Sequence, residues 1–223
     1  MHQKKSKRIL IYFILFLMFG SINNIELNNI KFSKIQKINL SGLNNFNNQL
    51  LLKDLENLSS KSIFFINKQN INKIISNYSF IESYEVYKKY PSTLDIKIRK
   101  AVSLAKINQD GKLFIIGSNG KLLNDDLSNK HLPFVFGNPE VSDFLRLKYI
   151  IDASGISFDQ VKNFYYFPSN RWDLELANNK IIKLSKKDIK ENLDDVLELF
   201  NNEKFKDTKI FDARIKNQII INE

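Results

Sequence analysis

The chain opens with an uninterrupted apolar run. Between Ile9 and Phe19 the hydroxyl of Tyr12 is the only polar side-chain group, a pattern typical of a membrane helix or of the apolar part of a signal peptide. The run predicts a transmembrane helix over residues 9–25. Its apolar side chains are Ile9, Leu10, Ile11, Phe13, Ile14, Leu15, Phe16, Leu17 and Phe19.

Length and cleavage chemistry point in opposite directions for this run. As a helix, residues 9–22 would extend about 21 Å against a hydrocarbon core of about 30 Å, which favours a signal peptide. No pair of small residues with cleavage spacing follows, since Gly20 is matched by Ile22, and an uncleaved anchor is therefore predicted. The basic residues ahead of the run place residues 1–8 in the cytoplasm and the bulk outside. They are Lys4, Lys5, Lys7 and Arg8.

Beyond the anchor, the pattern predicts a strand, two helices and two strands. Ile38 and Leu40 alternate before Gly42, and Leu51, Leu55 and Leu58 then share a helical face. Asn67 is a candidate N-cap for a second helix with apolar residues at helical spacing. The period changes to two from residue 84 to 98, with Tyr90-Pro91 as the turn of a hairpin.

The second half reads mainly as strands. Asn119-Gly120 and Asn178-Asn179 indicate hairpin turns. A helix is predicted after Pro139, and another after Ser185, which with Asp188 would form a capping box. The chain finishes with KIFDARI and QIIINE, which we read as two short strands or one bent strand.

Composition excludes several kinds of chemistry. The chain has no cysteine, so disulfides and thiolate sites are excluded. Its two histidines, His2 and His131, lie far apart in the sequence, which argues against a histidine triad or a zinc site. Asp125-Asp126 and Asp194-Asp195 are adjacent pairs whose side chains diverge. We therefore expect no enzyme and no cofactor.

The formal charge of +10 is not a nucleic-acid signal. Four positive charges precede the apolar run, and the densest remaining patch, around residues 88–100, is interleaved with acidic residues. Nucleic acid is therefore not an expected partner.

A series of motifs in order resembles the bacterial FtsQ/DivIB division family. INLSG followed by SFIESYEVYKKYPSTLDIKI resembles the family's POTRA domain, and NGKLL, LPFVFG, NRWDLEL and IFDAR resemble its β domain. The resemblance implies an α+β protein with a single N-terminal transmembrane helix. It further implies a POTRA domain (β-α-α-β-β) over 32–101 and a mainly antiparallel β domain with flanking helices over 102–223.

The resemblance also implies a function. An FtsQ-like protein would be a divisome scaffold of the inner membrane, with its bulk in the periplasm and concentrated at the division septum. It would bind FtsB-like and FtsL-like partners by strand addition at its C-terminal edge. Other divisome membrane proteins would contact the POTRA domain and the transmembrane helix, with a second docking surface around residues 84–98.

The expected partner-binding residues lie in the last two strands. They are Asp212, Arg214, Ile215, Ile219, Ile220 and Ile221. Arg214 could clamp a partner carboxylate, or equally well pair internally with Asp212. A POTRA-containing chaperone or secretion factor of the cell envelope is the alternative, and a periplasmic enzyme would require carboxylates that converge in the fold.

Overall fold

The computed structural model describes residues 3–22, 34–124, 131–200 and 202–222. Helix α1 (Gln3–Ile22) contains the apolar run, whose side chains from Ile9 to Phe19 are 44–76% exposed. Among the described residues, no helix is both long and apolar enough to cross a membrane. The predicted transmembrane helix over 9–25 is therefore not found. The described helix ends at Ile22, and residues 23–25 of the predicted span lie outside the described ranges.

The first folded unit is a three-stranded sheet covered by two helices. Its strands have the order β1-β3-β2, with β1 parallel to β3 and β2 antiparallel to it. The elements follow the predicted sequence of strand, helix, helix, strand and strand. They are β1 (Lys37–Ser41), α2 (Asn45–Leu55), α3 (Lys68–Ile75), β2 (Ile81–Lys89) and β3 (Thr93–Lys100).

Local sequence explains where these elements start. Asn67 caps α3 through a reciprocal pair of hydrogen bonds with Asn70, which confirms the predicted cap. The predicted helical faces are confirmed as well, because they form one core with the inner side of the sheet. This core includes Leu51, Leu55, Leu58, Ile71, Ile75, Leu94, Ile96 and Ile98.

The second unit is a nine-stranded sheet with the order β12-β11-β10-β9-β8-β7-β4-β5-β6. Two helices, α4 (Val141–Asp152) and α5 (Ile189–Phe200), contribute to its core. The strands are β4 (Ser103–Gln109), β5 (Lys112–Gly117), β6 (Leu122–Leu123), β7 (Phe134–Phe136), β8 (Val161–Tyr166), β9 (Trp172–Leu176), β10 (Ile181–Leu184), β11 (Ile210–Ile215) and β12 (Gln218–Asn222).

The sheet is mixed, although antiparallel pairs predominate as expected. The pairs β4–β7, β7–β8 and β10–β11 are parallel. Two of them follow from the helices, because α4 carries the chain from β7 to β8 and α5 carries it from β10 to β11, and parallel neighbours need such crossovers. The predicted hairpins at Asn119-Gly120 and Asn178-Asn179 are confirmed, with Gly120 and Asn179 at positive φ.

The predicted capping box at Ser185 is wrong. The Ser185 hydroxyl donates to the carbonyl of Lys187 and accepts a bond from Asn192 Nδ2 at 2.9 Å. The hydroxyl therefore bonds a side chain of the first turn of α5, and Asp188, the residue before this helix, adopts a φ of 56°. Asn192 is buried, and its side chain donates to the Ser185 hydroxyl. The sequence pattern did not predict a buried polar residue at this position.

Polar contacts of the β5–β6 turn join the two units. Asn119 Nδ2 donates to the carbonyls of Ser79 and Ile81 at 2.8 and 2.9 Å. The neighbouring Ser118 hydroxyl donates to Glu82 and accepts from the amide of Val102. A turn that the sequence marks only as a hairpin thus also binds the first unit where β2 begins.

Candidate interaction surface at the C-terminal sheet edge

Strand β12 is the last strand of the nine-stranded sheet. One side of it pairs with β11 in antiparallel register, from Ile210 opposite Asn222 to Ile215 opposite Gln218. Within the described part of the chain, no strand pairs with its other side. The unpaired side leaves backbone donors and acceptors available to a foreign strand.

The side chains of β12 are unusually apolar for an exposed strand. Ile219 is half-buried and packs against the core, whereas Ile220 and Ile221 are 48% and 42% exposed. Ile220 lies opposite Asp212 and Ile221 opposite Phe211, so the two side chains point to opposite faces of the sheet. Both faces of this edge therefore present apolar surface.

Arg214 pairs internally with Asp212. Its Nε lies 2.7 Å from Asp212 Oδ1 and its Nη2 lies 2.5 Å from Oδ2, a bidentate geometry. The hydrogen bonds from Arg214 hold the pKa of Asp212 below its usual value. Of the two roles that the sequence left open for Arg214, the structure shows the internal one. Ile215, beside the β11–β12 turn, is 52% exposed.

A row of charged residues leads across the sheet toward this edge. Asp173 of β9 lies opposite Lys183 of β10, which lies opposite Asp212 of β11. Asp173 is only 7% exposed, and burial raises its pKa, while Arg171, Lys183 and Arg214 oppose that shift. Sequence reasoning missed Asp173. Its one signal was a charged residue between Trp172 and Leu174, which is equally typical of a solvent-facing strand position.

A second carboxylate on the same face is tightly bound. Glu175 accepts hydrogen bonds from Lys162, Asn163 and Tyr165 at 2.7–2.9 Å. These three hydrogen bonds lower the pKa of Glu175 from 4.5 to about 2. The group is fully satisfied by its own sheet, which indicates a structural role.

This pKa gives a prediction for acid stability. A depressed folded pKa contributes stability above pH 4.5, and the contribution is lost as the pH falls toward 2. Urea unfolding of Glu175→Gln should therefore depend less on pH between 4.5 and 2 than unfolding of the original chain. Glu191→Gln, at an exposed position of α5, is the control and should keep the original slope. Parallel curves for Glu175→Gln and the original chain would contradict the assignment.

No candidate metal site is found among the described residues. These residues contain no group of three or more His, Asp or Glu side chains placed to hold a metal ion. Asp194 and Asp195 lie on the exposed face of α5, as predicted. His2 and the Asp125-Asp126 pair lie outside the described residues.

The second predicted docking surface, around residues 84–98, lies on the first unit. A groove of 420 Å³ runs between α3 and β2, lined by Ile71, Tyr84 and Val86 among others. Strand β2 is an edge strand of its sheet in the described structure. This surface therefore combines an edge with a groove that is lined by apolar and charged side chains, the latter being Lys68, Glu85 and Lys88.

Comparison with known proteins decides the family. The model of the POTRA domain, FtsQ-type, matches residues 33–100, and that of the cell division protein FtsQ/DivIB, C-terminal, matches residues 102–214. The chain belongs to the FtsQ/DivIB family. The second of these models describes a cell division protein. Strand β12 lies beyond the residues that the second family model matches.

The chain is also similar to individual proteins named DivIB and FtsQ. Cell division protein DivIB of Clostridium botulinum is 27% identical over 152 residues, which are 66% of this chain and 59% of that protein. Cell division protein FtsQ of Rickettsia bellii is 26% identical over 195 residues, covering 85% of this chain and 72% of the relative. The chain thus spans between about three fifths and three quarters of these two relatives.

Part of this chain is also similar to a solved structure, the major extracytoplasmic domain of the cell division protein DivIB from Geobacillus stearothermophilus. It aligns with 47% of this chain and 95% of its own length, at 11% identity and a TM-score of 0.35.

Proposed function

We propose that the protein is a divisome scaffold that binds FtsB-like and FtsL-like division proteins by strand addition to β12. The observation that carries the proposal is the edge position of β12 together with the exposure of Ile220 and Ile221. An exposed apolar edge is prone to aggregation unless a partner covers it. In strand addition, main-chain hydrogen bonds supply affinity and alternate side chains fix the register.

A co-purification experiment tests this proposal. The tagged full-length chain should capture FtsB-like and FtsL-like proteins from cells that express all three. If the unaltered chain captures neither protein, the scaffold proposal is refuted, whatever its variants do.

The same assay separates the two roles of Arg214. If Arg214 also contacts a partner carboxylate, Arg214→Ala should reduce capture while Asp212→Asn, which removes the internal acceptor charge, should not. If Arg214 only stabilises β11 through its pair with Asp212, Arg214→Ala and Asp212→Asn should change the capture of the partner equally. Charge reversal at Arg214 is a poorer test, because it would place a second carboxylate beside Asp212 and change stability as well.

The remaining parts of the proposal concern domains and other contacts. We infer a POTRA domain over 32–101 and a β domain over 102–223, supported by the separate cores of the two sheets. The groove between α3 and β2 is the surface that we assign to other divisome membrane proteins.

We also propose that the protein is attached to the cell membrane through the apolar residues Ile9 to Phe19, with its bulk on the periplasmic side at the septum. The support is their exposure in α1 and the positive charges that precede them. Alkaline extraction of membranes is the test. The attached protein should stay in the pellet, and its release into the supernatant would contradict attachment.

A further inference from the structure

Three separate segments of the first unit meet at one end of it. The amide of Ile35 donates to the carbonyl of Lys61 at 3.2 Å, and the amide of Gln36 donates to the carbonyl of Ser92 at 2.9 Å. Lys88 Nζ reaches the carbonyl of Phe64 at 3.4 Å. We call residues 34–37, 61–65 and 88–92 together the N-proximal tip, because they include the first described residues after α1.

Large aromatic side chains protrude from this tip. Phe64, Phe65 and Tyr90 are 50%, 71% and 60% exposed. The rings of Phe64 and Tyr90 are 4.9 Å apart, so that these two side chains form a joint surface. Exposing this much aromatic surface to water is unfavourable in free energy. Aromatic side chains partition favourably into the interfacial region of a bilayer.

The charge of the N-proximal tip has one sign. Its segments contain five lysines, Lys34, Lys37, Lys61, Lys88 and Lys89, and no acidic residue. Asp95, just outside the tip, makes an ion pair with Lys89 and also interacts electrostatically with Lys37. Lys34, Lys37 and Lys61 are exposed. Basic residues that surround protruding aromatic side chains are typical of proteins that bind anionic lipid surfaces.

The position of the tip in the chain supports the same occupant. Helix α1 ends at Ile22, and the tip begins at Lys34. A chain of this length spans at most about 40 Å, even when fully extended. If the apolar residues of α1 hold the protein to a membrane, the start of the tip therefore lies within about 40 Å of the end of that helix.

We propose that the N-proximal tip lies on an anionic lipid surface. Phe65 and the Phe64–Tyr90 pair insert among the headgroups, and the exposed lysines bind lipid phosphates. The tip would then orient the first unit relative to the membrane. This inference rests on the proposed attachment through α1 and is independent of partner binding at β12.

Fluorescence of the full-length chain tests the proposal. Trp172 is buried in the second unit, at 3% exposure, and the signal of the unsubstituted chain can be subtracted. In vesicles of phosphatidylglycerol with brominated acyl chains, the tryptophan of Phe65→Trp should be quenched at least about twofold more than in non-brominated vesicles. Phe136→Trp, at a 43% exposed position of β7, is the matched control and should not be quenched.

Charge variants test the lysines. Lys34→Glu and Lys61→Glu, made together in the Phe65→Trp chain, should lower the quenching, because each removes attraction to the anionic surface. Lys112→Glu, at an exposed position of β5, is the matched control and should leave the quenching unchanged. Equal quenching in the double variant and its parent would overturn the assignment of the lysines.

Co-flotation with the vesicles, measured on every sample, separates this proposal from membrane attachment. A chain that floats with vesicles while Phe65→Trp remains unquenched would overturn the tip proposal and leave attachment intact, and a protein partner would then be the better occupant. A chain that does not float would overturn both. Quenching of Phe136→Trp to the same degree would overturn the specific role of the tip.

Discussion

Ile220→Lys is expected to abolish capture of the FtsB-like partner while leaving the fold unchanged. The new side chain lies on the free edge, where a charge opposes association of an apolar strand. Because Ile220 is about half exposed, the free energy of unfolding should fall by only about 1 kcal/mol. The measurement is co-purification of the partner, with urea unfolding of the purified variant alongside it.

Leu113→Lys is the matched control for this substitution. Leu113 is also an apolar strand residue, 40% exposed, but it belongs to β5 at the other side of the sheet. Its replacement should leave capture intact. Undiminished capture by Ile220→Lys, or equal loss in both variants, would show that the partner does not use β12.

Gly42→Ala should destabilise the first unit by about 2–5 kcal/mol, because about 1–3 kcal/mol for overpacking adds to about 1–2 kcal/mol for the left-handed conformation. Gly42 follows β1 at a φ of +96°, and a Cβ there would lie 1.8 Å from the carbonyl oxygen of Ile98. That oxygen belongs to the backbone of β3, which cannot move without breaking the sheet. Chemical denaturation of the purified variant measures the effect.

Gly111→Ala separates the steric effect from backbone strain. Gly111 also has a positive φ, +78°, but a Cβ there meets nothing within 4 Å. Its replacement should cost only roughly 1–2 kcal/mol, the cost of the left-handed conformation. Equal losses in the two variants would mean that close packing against Ile98 does not explain Gly42.

The periodicity of apolar residues predicts helices and strands well, because an element that buries one face needs apolar residues at a regular spacing along that face. The leucines of α2, the capped α3 and the hairpin around Tyr90-Pro91 were all predictable, since each depends on neighbours along the chain. The nine-stranded order was not, because it depends on where the crossover helices return the chain.

The candidate site divides in the same way. The two final strands and their isoleucines could be read from the sequence, and the edge position of β12 follows only from the sheet order. The partner of Arg214 could not be decided from spacing alone, because Asp212 lies within reach in any strand. Asp173 and Ser185 show the limit most clearly, since their environments are formed by residues from other strands and from a neighbouring loop.

Site-specific photo-crosslinking in living cells tests the central claim most directly. A photoreactive residue is placed in turn at each position from 209 to 222, and also at Tyr84 and Val86 in the groove between α3 and β2. The positions of β12 should crosslink the FtsB-like partner, most strongly at the exposed residues 220 and 221. No crosslink should form from the fully buried Phe211. Crosslinks confined to the groove between α3 and β2, with none from β12, would contradict strand addition at the C-terminal edge.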